Sequence, residues 1–295
     1  METKNKVYLE DEYMQKNINK KYAYVTALTT ESYIPGCMAL GRSLIEVCSK
    51  YKLLVIIPES KEKVLKTELD KYGFFNVMGN YAQVIVLPDI EIPEKSIENQ
   101  KYSFWKYSFF KLQAASLFDY EKVILLDCDQ MAVRNIDHLF EKPHMTATIC
   151  GKCIHPEWHE LSAGLLVIEL SKRFYSELIG AIQPATEKKY EKGLSAGDQD
   201  VFNEIMLDWR NHDELYIEEK YNICWGMIEA LCKVENVSVD DFYMIHFPGA
   251  EKPWHRHRYY NYWIFIRYLL SGKTDKLLYK VRMYGKYRKL CCPKK

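Results

Sequence analysis

The chain has almost no net charge: 41 Lys and Arg stand against 40 Asp and Glu in 295 residues, a formal +1. So even a balance excludes a chain-wide electrostatic footprint for nucleic acid. No run of about 18 uninterrupted apolar residues occurs, so no membrane-spanning helix is expected. The opening stretch, METKNKVYLEDEYMQK, lacks the apolar core of a secretory leader, and no export is expected from it. Internal repeats and low-complexity linkers are absent too, which points to one domain rather than an array. The nine cysteines are odd in number and scattered through strand-like and helix-like segments. That pattern suits a reducing cytosol better than a disulfide framework. Cys150 and Cys153 form a CxxC with His155 nearby, but no second pair exists, so a structural zinc site is not expected.

What is present is enough apolar material for a core: 48% hydrophobic and 27% charged residues, a globular balance. After a polar lead-in over residues 1–20, Tyr22 to Thr26 (YAYVT) reads as a first strand. Pro35 suits the first turn of a helix through MALGRSLIEVC, ending near Cys48. Leu53 to Ile57 (LLVII), stopped by Pro58, is a continuous apolar run of the kind buried on both faces. Ser60 is placed to cap a helix reaching about Tyr72, with Gly73 closing it. Gln83 to Leu87 is the next strand. A helical pattern follows, with Trp105, Phe109 and Leu112 on one face and Phe110, Ala114 and Leu117 beside it. Lys122 to Leu126 (KVILL) is another buried strand. Strand and helix alternate, which predicts an α/β fold with a mainly parallel sheet covered by helices. Ligands in such sheets bind beyond the carboxyl ends of the strands. The second half is less regular. A strand is expected over Leu161–Leu170, a helix over Lys172–Ile182, a helix from Gly197 and Asp198 to about Trp209, and a late strand over Tyr243–His246.

Two segments carry chemistry. Asp127-Cys128-Asp129 directly follows KVILL. Carboxylates spaced i, i+2 at a strand end can converge once the chain leaves the pleat, and a hard divalent cation would relieve their repulsion and bridge to phosphates. By itself Asp-x-Asp also fits a solvated turn. The second segment is HFPGAEKPW, His246 to Trp254. His246 offers an imidazole ligand, Gly249 allows close backbone approach, and Lys252 supplies a point charge suited to a phosphate. A metal plus a lysine is what a departing diphosphate needs.

With these segments on the page the chain resembles glycosyltransferase family 8, in its glycogenin-like branch and bacterial relatives. ALTTESY, KL, DCD, SAG, GDQ, YN and HFPGAEKPW occur in the family's order between about Tyr22 and Trp254. The resemblance implies a GT-A type nucleotide-binding domain over residues 21–272, with a tail over 273–295. It implies a retaining hexosyltransferase that moves glucose or galactose from UDP-glucose or UDP-galactose to a glycan, glycolipid or protein acceptor, with Mn²⁺ or Mg²⁺. It also admits a non-catalytic UDP-sugar-binding module and a homodimer. Residue by residue, Thr26, Leu28, Thr29 and Tyr33 match positions that hold uridine. Lys111, sixteen residues before Asp127, matches a donor-contacting lysine. Asp127 and Asp129, flanking Cys128, match the metal ligands with His246. Gly249 and Lys252 match the diphosphate site. Gly164, Asp198 and Gln199 match positions around the transferred sugar, Asp198 and Gln199 being the nearest candidates for a covalent intermediate. Where the family often has Asn-Ser-Gly, this chain has Ser162-Ala163-Gly164, which bears on which sugar is held.

The end of the chain breaks the charge balance. Residues 273–295 hold nine Lys or Arg and one Asp, a net +8. Tyr279, Tyr284 and Tyr287 are interleaved with them, after the aromatic run RHRYYNYWIFIRYLL from Arg256. Basic and aromatic side chains together suit an anionic membrane surface, and a similar tail occurs in the lipopolysaccharide galactosyltransferases of the family. The expectation is a cytoplasmic enzyme resting peripherally on a membrane through this tail. The alternative is that Trp263, Ile264, Ile266 and Leu269 form a last helix packed on the core and the remaining basic residues are merely solvated.

Overall fold

A computed structural model describes residues 21–95, 105–249, 252–255, 259–272 and 276–292. The lead-in over 1–20, Glu251, Arg256, Lys273 and residues 293–295 lie outside them. The strands are β1 (Tyr22–Ala27), β2 (Leu53–Pro58), β3 (Ala82–Leu87), β4 (Lys122–Leu126), β5 (Gln130–Ala132), β6 (Leu165–Glu169), β7 (Ile223–Cys224) and β8 (Met244–His246). The helices are α1 (Ile34–Glu46), α2 (Glu62–Lys71), α3 (Phe74–Met78), α4 (Lys172–Gly180), α5 (Ile182–Tyr190), α6 (Asp198–Ile205), α7 (Ile228–Val234), α8 (Tyr260–Leu270) and α9 (Leu277–Cys291).

Five strands form the main sheet in the order β3-β2-β1-β4-β6. β1, β2, β3 and β4 run parallel, and β6 pairs antiparallel with β4. LLVIIP and KVILL are buried along their whole length because helices cover both faces. Alternate residues feed two cores. Tyr24, Val55 and Ile124 join one with Met38 of α1 and Leu65 of α2. Val25, Leu54 and Leu125 join the other with Phe109, Leu178 of α4 and Phe202 of α6. The strand order reverses between β1 and β4, and the crevice at their carboxyl ends is where such folds bind ligands.

Several local expectations shift. β6, Leu165–Glu169, is shorter than its expected span: Leu161–Gly164 stay in a loop, fixed by Ser162 N–H donating to Thr148 O at 2.8 Å. Its antiparallel sense is invisible to hydrophobic periodicity. The first helix after β2 opens as a 3₁₀ turn at Glu59–Lys61, and Ser60 does not cap it. The Ser60 N–H and hydroxyl instead donate to the Asp89 carboxylate at 2.9 and 2.7 Å. The pattern at Trp105–Ser116 forms a 3₁₀ helix. The helix expected over Lys172–Ile182 breaks at Ala181 into α4 and α5. α6 ends at Ile205, short of Trp209.

The larger correction is at the end of the chain. Residues read as a separate basic tail form α9, and Leu277, Lys280, Met283, Tyr284, Tyr287, Leu290 and Cys291 are buried. They repeat at helical spacing, so one face packs despite the charge around it. This face shares a third core with Met131, Ile223, Ile245 and Phe247. Arg42 of α1 donates to the carbonyls of Lys289, Leu290 and Cys292 at 2.7–3.0 Å, satisfying acceptors that a helix end leaves open. Lys280 is enclosed, its Nζ 4.7 Å above the Trp225 ring. Conversely Trp263, Ile266 and Leu269 of α8 are exposed rather than packed.

Candidate active site

The acidic pair sits where the chain passes from one sheet to the other. β4 ends at Leu126, β5 begins at Gln130, and the three residues between are Asp127-Cys128-Asp129. The middle side chain turns inward: Cys128 Sγ donates to Ala27 O at 2.8 Å and lies 3.1 Å from Thr26 Oγ1. The flanking carboxylates therefore turn the other way, into the crevice. β5 then pairs antiparallel with β8, and the register sets Gln130 opposite His246. That pairing delivers the imidazole from 119 residues away in sequence to the acidic pair. His246 Nε2 is 3.1 Å from Asp129 Oδ1 and 3.6 Å from Asp127 Oδ2. One ligand atom from each of the three residues lies within 4.8 Å of the others. Among the described residues no other group of three or more His, Cys, Asp or Glu converges in this way. Cys150 and Cys153 accordingly belong to no such cluster.

Two buried lysines neutralise the carboxylates. Lys252 Nζ is 2.5 Å from Asp129 Oδ2 and donates to Phe247 O at 3.2 Å. Gly249, at φ +102°, adopts the left-handed conformation that glycine allows. Lys111 Nζ bridges Asp127 Oδ1 and Asp198 Oδ2, both at 2.6 Å, and donates to Ala163 O at 3.1 Å. Burial would raise the Asp129 carboxyl, but the charges and hydrogen bonds of His246 and Lys252 reverse this and hold it well below the usual carboxylate range. Burial would likewise depress His246, and Asp129, with Asp127, pulls it above its ordinary 6.5 instead. Lys111 is pushed up against its own burial by Asp127 and Asp198. The set is thus a floor of carboxylates balanced by resident cations. Two carboxylates and an imidazole, with His246 Nδ1 buried and unpartnered, are a donor set that fits a divalent cation.

Above the floor is a cleft of about 280 Å³ lined by Thr29, Tyr33, Lys111, Asp127, Cys128, Asp129, Asp198, His246, Gly249 and Lys252, all expected from sequence. Other expected residues lie behind it. Thr26 and Leu28 are fully buried beneath the first loop. Ser162 is buried, and its hydroxyl accepts from Gly164 N–H at 3.4 Å. Gln199 accepts from Ala163 N–H at 3.4 Å, which ties α6 to the SAG loop. Gly164 has no room for a side chain: a Cβ there would fall 2.9 Å from Asn222 Nδ2 and 3.2 Å from Asp127 Oδ2. The cleft also includes Thr30, Tyr107, Ser108 and Pro248, which sequence reasoning missed. Tyr107 and Ser108 were discoverable, since they stand one helical turn before Lys111. Ser108 Oγ accepts from Asp198 N–H at 3.2 Å.

The profile of glycosyl transferase family 8 matches residues 24–258, a span that includes every one of these side chains. The chain belongs to glycosyl transferase family 8. It is therefore a sugar-transferring enzyme, a UDP-sugar-dependent hexosyltransferase by family. Among curated proteins it is 26% identical over 251 residues to the uncharacterized protein R707 of Acanthamoeba polyphaga mimivirus, covering 80% of this chain and 83% of that one. It is 28% identical to UDP-glucuronate:xylan alpha-glucuronosyltransferase 2 of Arabidopsis thaliana, covering 82% of this chain but 37% of the plant enzyme. Human glycogenin-1 is 26% identical, with 79% of this chain and 62% of glycogenin covered. Among solved structures, the galactosyltransferase LgtC in complex with donor and acceptor sugar analogs superposes with a TM-score of 0.52 at 15% identity, over 79% of this chain and 90% of that one. The glycosyltransferase GlyE of Streptococcus pneumoniae TIGR4 superposes with a TM-score of 0.54 at 18% identity, over 89% and 63%. At these identities the likeness concerns the fold, which is GT-A.

Proposed function

We propose that this family 8 enzyme moves glucose or galactose from its UDP-sugar to a glycan, glycolipid or protein acceptor with retention at the anomeric carbon, using Mn²⁺. The observation that carries the reading is the convergence of Asp127, Asp129 and His246 within 4.8 Å on the floor of a cleft at the carboxyl ends of parallel strands. These three side chains would hold the cation, and the imidazole among them favours Mn²⁺ over the more strictly oxygen-seeking Mg²⁺. The ion supplies charge neutralisation for the departing diphosphate.

The chain's own residues do the rest. Lys252, two per cent exposed, is aimed at the same floor and lines the cleft with Gly249, where the diphosphate would pass. A lysine in so dry a place stabilises developing negative charge far better than one in water. Tyr33 stands over Lys252, with Nζ 5.2 Å from the ring centre, and Thr29 borders the same side, where uridine would lie. Lys111 clamps Asp127 to Asp198 and to the SAG loop, so it fixes the place where the sugar would sit between the ion site and α6. Asp198 is the carboxylate facing that place and Gln199 the amide beside it. Ser162 is turned down into the loop, where its hydroxyl accepts from Gly164 N–H, and the choice of glucose ahead of galactose rests on the family resemblance.

The acceptor proposal uses the surface. Tyr262, Trp263, Ile266, Leu269 and Leu270 of α8 are exposed together with Leu278 of α9, and Arg267, Lys276 and Arg282 are exposed around them. Apolar anchors ringed by basic charge complement an anionic membrane, which favours a lipid-linked acceptor met at a cytoplasmic face. A screen of UDP-sugars with Mn²⁺, reading UDP release with and without candidate acceptors, tests the reading. UDP release that never depends on an acceptor would point instead to a hydrolase.

A further inference from the structure

The hydrogen bonds behind the acidic pair have a direction. A backbone N–H can only donate, and that of Asp127 is shared between Gly164 O at 3.2 Å and Gln130 Oε1 at 3.1 Å. Gln130 must then offer Nε2 on its other branch, and this donates to Asn222 Oδ1 at 2.6 Å. Both amides are fully buried. With its oxygen used, Asn222 must turn Nδ2 away from Gln130, and that nitrogen has no hydrogen-bond partner. A buried unpaired donor is uncommon enough in native proteins to call for a role. Its surroundings indicate one. A single point, the place a Cβ would take on Gly164, is 2.9 Å from Asn222 Nδ2, 3.2 Å from Asp127 Oδ2 and 3.3 Å from His246 Cε1. Asn222 Nδ2 and the Asp127 carboxylate therefore border the same small space, which the missing side chain of Gly164 leaves open.

Asp127 also has a problem that Asn222 solves. In this structure its carboxylate is held by Lys111, which Asp198 shares. A lysine that turns to a bound diphosphate sugar can no longer hold Asp127, and a cationic partner would in any case compete with a divalent ion for the same oxygens. A neutral amide orients a carboxylate without cancelling its charge. We propose that Asn222 is a positioning residue of the metal site, whose Nδ2 holds the Asp127 carboxylate in its ion-binding rotamer while Gln130 fixes which way the amide points. The inference rests on the Mn²⁺ reading above. Partners that orient ligating carboxylates typically matter by 10–100-fold in metal affinity.

The test is Mn²⁺ titration of the full chain in the presence of UDP, with free ion read by electron paramagnetic resonance. Two variants separate orientation from packing. Asn222→Leu removes the donor at similar volume. Gln130→Glu keeps an acceptor for the Asp127 N–H but removes the Nε2 donor, so Asn222 would turn Nδ2 toward the new carboxylate. An added anion this close would by itself tighten cation binding, so a loss in Gln130→Glu isolates the orientation of the amide. The expected result is a Kd for Mn²⁺ raised about 10–100-fold in each variant, with the double variant no weaker than the worse single one, as for one relay. Unchanged or tighter Mn²⁺ binding in Gln130→Glu overturns the proposal, including when Asn222→Leu fails to fold. Additive losses overturn it as well. A wild-type chain that takes up no Mn²⁺ with UDP would instead sink the metal reading beneath it.

Discussion

The ring of Tyr287 stacks on that of Phe247, with centroids 4.2 Å apart and planes 12° from parallel. Phe247 follows His246 directly, and its carbonyl accepts from Lys252. The last helix of the chain thus braces the strand that carries His246, the third candidate ion ligand. Tyr287 is fully buried, so Tyr287→Ala should cost about 3–5 kcal/mol, the usual loss for a large buried ring. Ending the chain after Ser271 should be worse, because it strips Met283, Tyr284 and Leu290 from the same core. Thermal unfolding checks both. A truncated chain as stable and as active as the full one would remove this role for α9.

This helix shows where the sequence was legible and where it was not. The buried strands LLVII and KVILL, the helices between them and the Asp127/Asp129/His246 set were readable, because apolar runs and motif order are local signals. The packing of α9 was hidden because its charge dominates its composition, while Leu277, Tyr284, Tyr287 and Cys291 register only through their spacing. Asn222 stood in the motif order as part of YN, yet its relation to Asp127 depends on β7 and β5 both pairing with β8, which no single-sequence pattern encodes. The inward placement of Thr26 and Leu28 had the same cause: strand alternation alone does not say which face a loop will cover.

Asp129→Ala should abolish turnover and cost about 3–5 kcal/mol of stability, since Lys252 and His246 lose the carboxylate they share. The carboxylate is a ligand candidate and an anchor for His246 and Lys252, but contributes little apolar packing. UDP release assays together with circular dichroism check this. Turnover that persists in Asp129→Ala, or in excess chelator, would contradict the metal reading.

Lys252→Ala should lower kcat by about 10²–10³-fold, as when one buried electrostatic stabiliser is removed. It should also leave Asp129 buried with one partner fewer, at a cost of about 3–5 kcal/mol. Mn²⁺ with UDP should restore much of that stability but not the rate. A change in KM alone would reduce Lys252 to a binding residue.

In excess chelator the His246–Asp129 pair makes stability depend on pH in a definite sense. The His246 pKa is raised above 6.5 in the folded chain, chiefly through Asp129 once burial has been overcome. Its stabilising contribution is therefore full below about 6.5, the unfolded value, and is lost as pH rises through the folded value. The stability gap between wild type and His246→Asn should shrink from pH 6 to pH 9. A gap that is constant or widens over this range would show that the imidazole is not charged in the ion-free chain.

The exposed face of α8 yields the last prediction. Trp263 is 70% exposed, Tyr262 67%, Leu270 84% and Leu278 76%. The membrane-docking group proposed above is therefore not the tail as a whole, since Tyr284 and Tyr287 are committed to the core. It is α8 with the start of α9, where Arg267, Lys276 and Arg282 stay in solvent. Each basic residue near an anionic surface contributes about 1 kcal/mol, and an inserted indole and leucine add apolar burial that salt does not screen. The full chain should co-sediment with phosphatidylglycerol vesicles at low salt and much less with phosphatidylcholine. Rising salt should weaken binding without abolishing it, because screening acts on the charges alone. Trp263→Ser with Leu270→Ser should detach the protein while leaving activity on a water-soluble acceptor unchanged, since neither side chain touches the cleft. If that double variant instead converts a dimer to a monomer and vesicle binding is unaffected, the face belongs to a second copy of the chain.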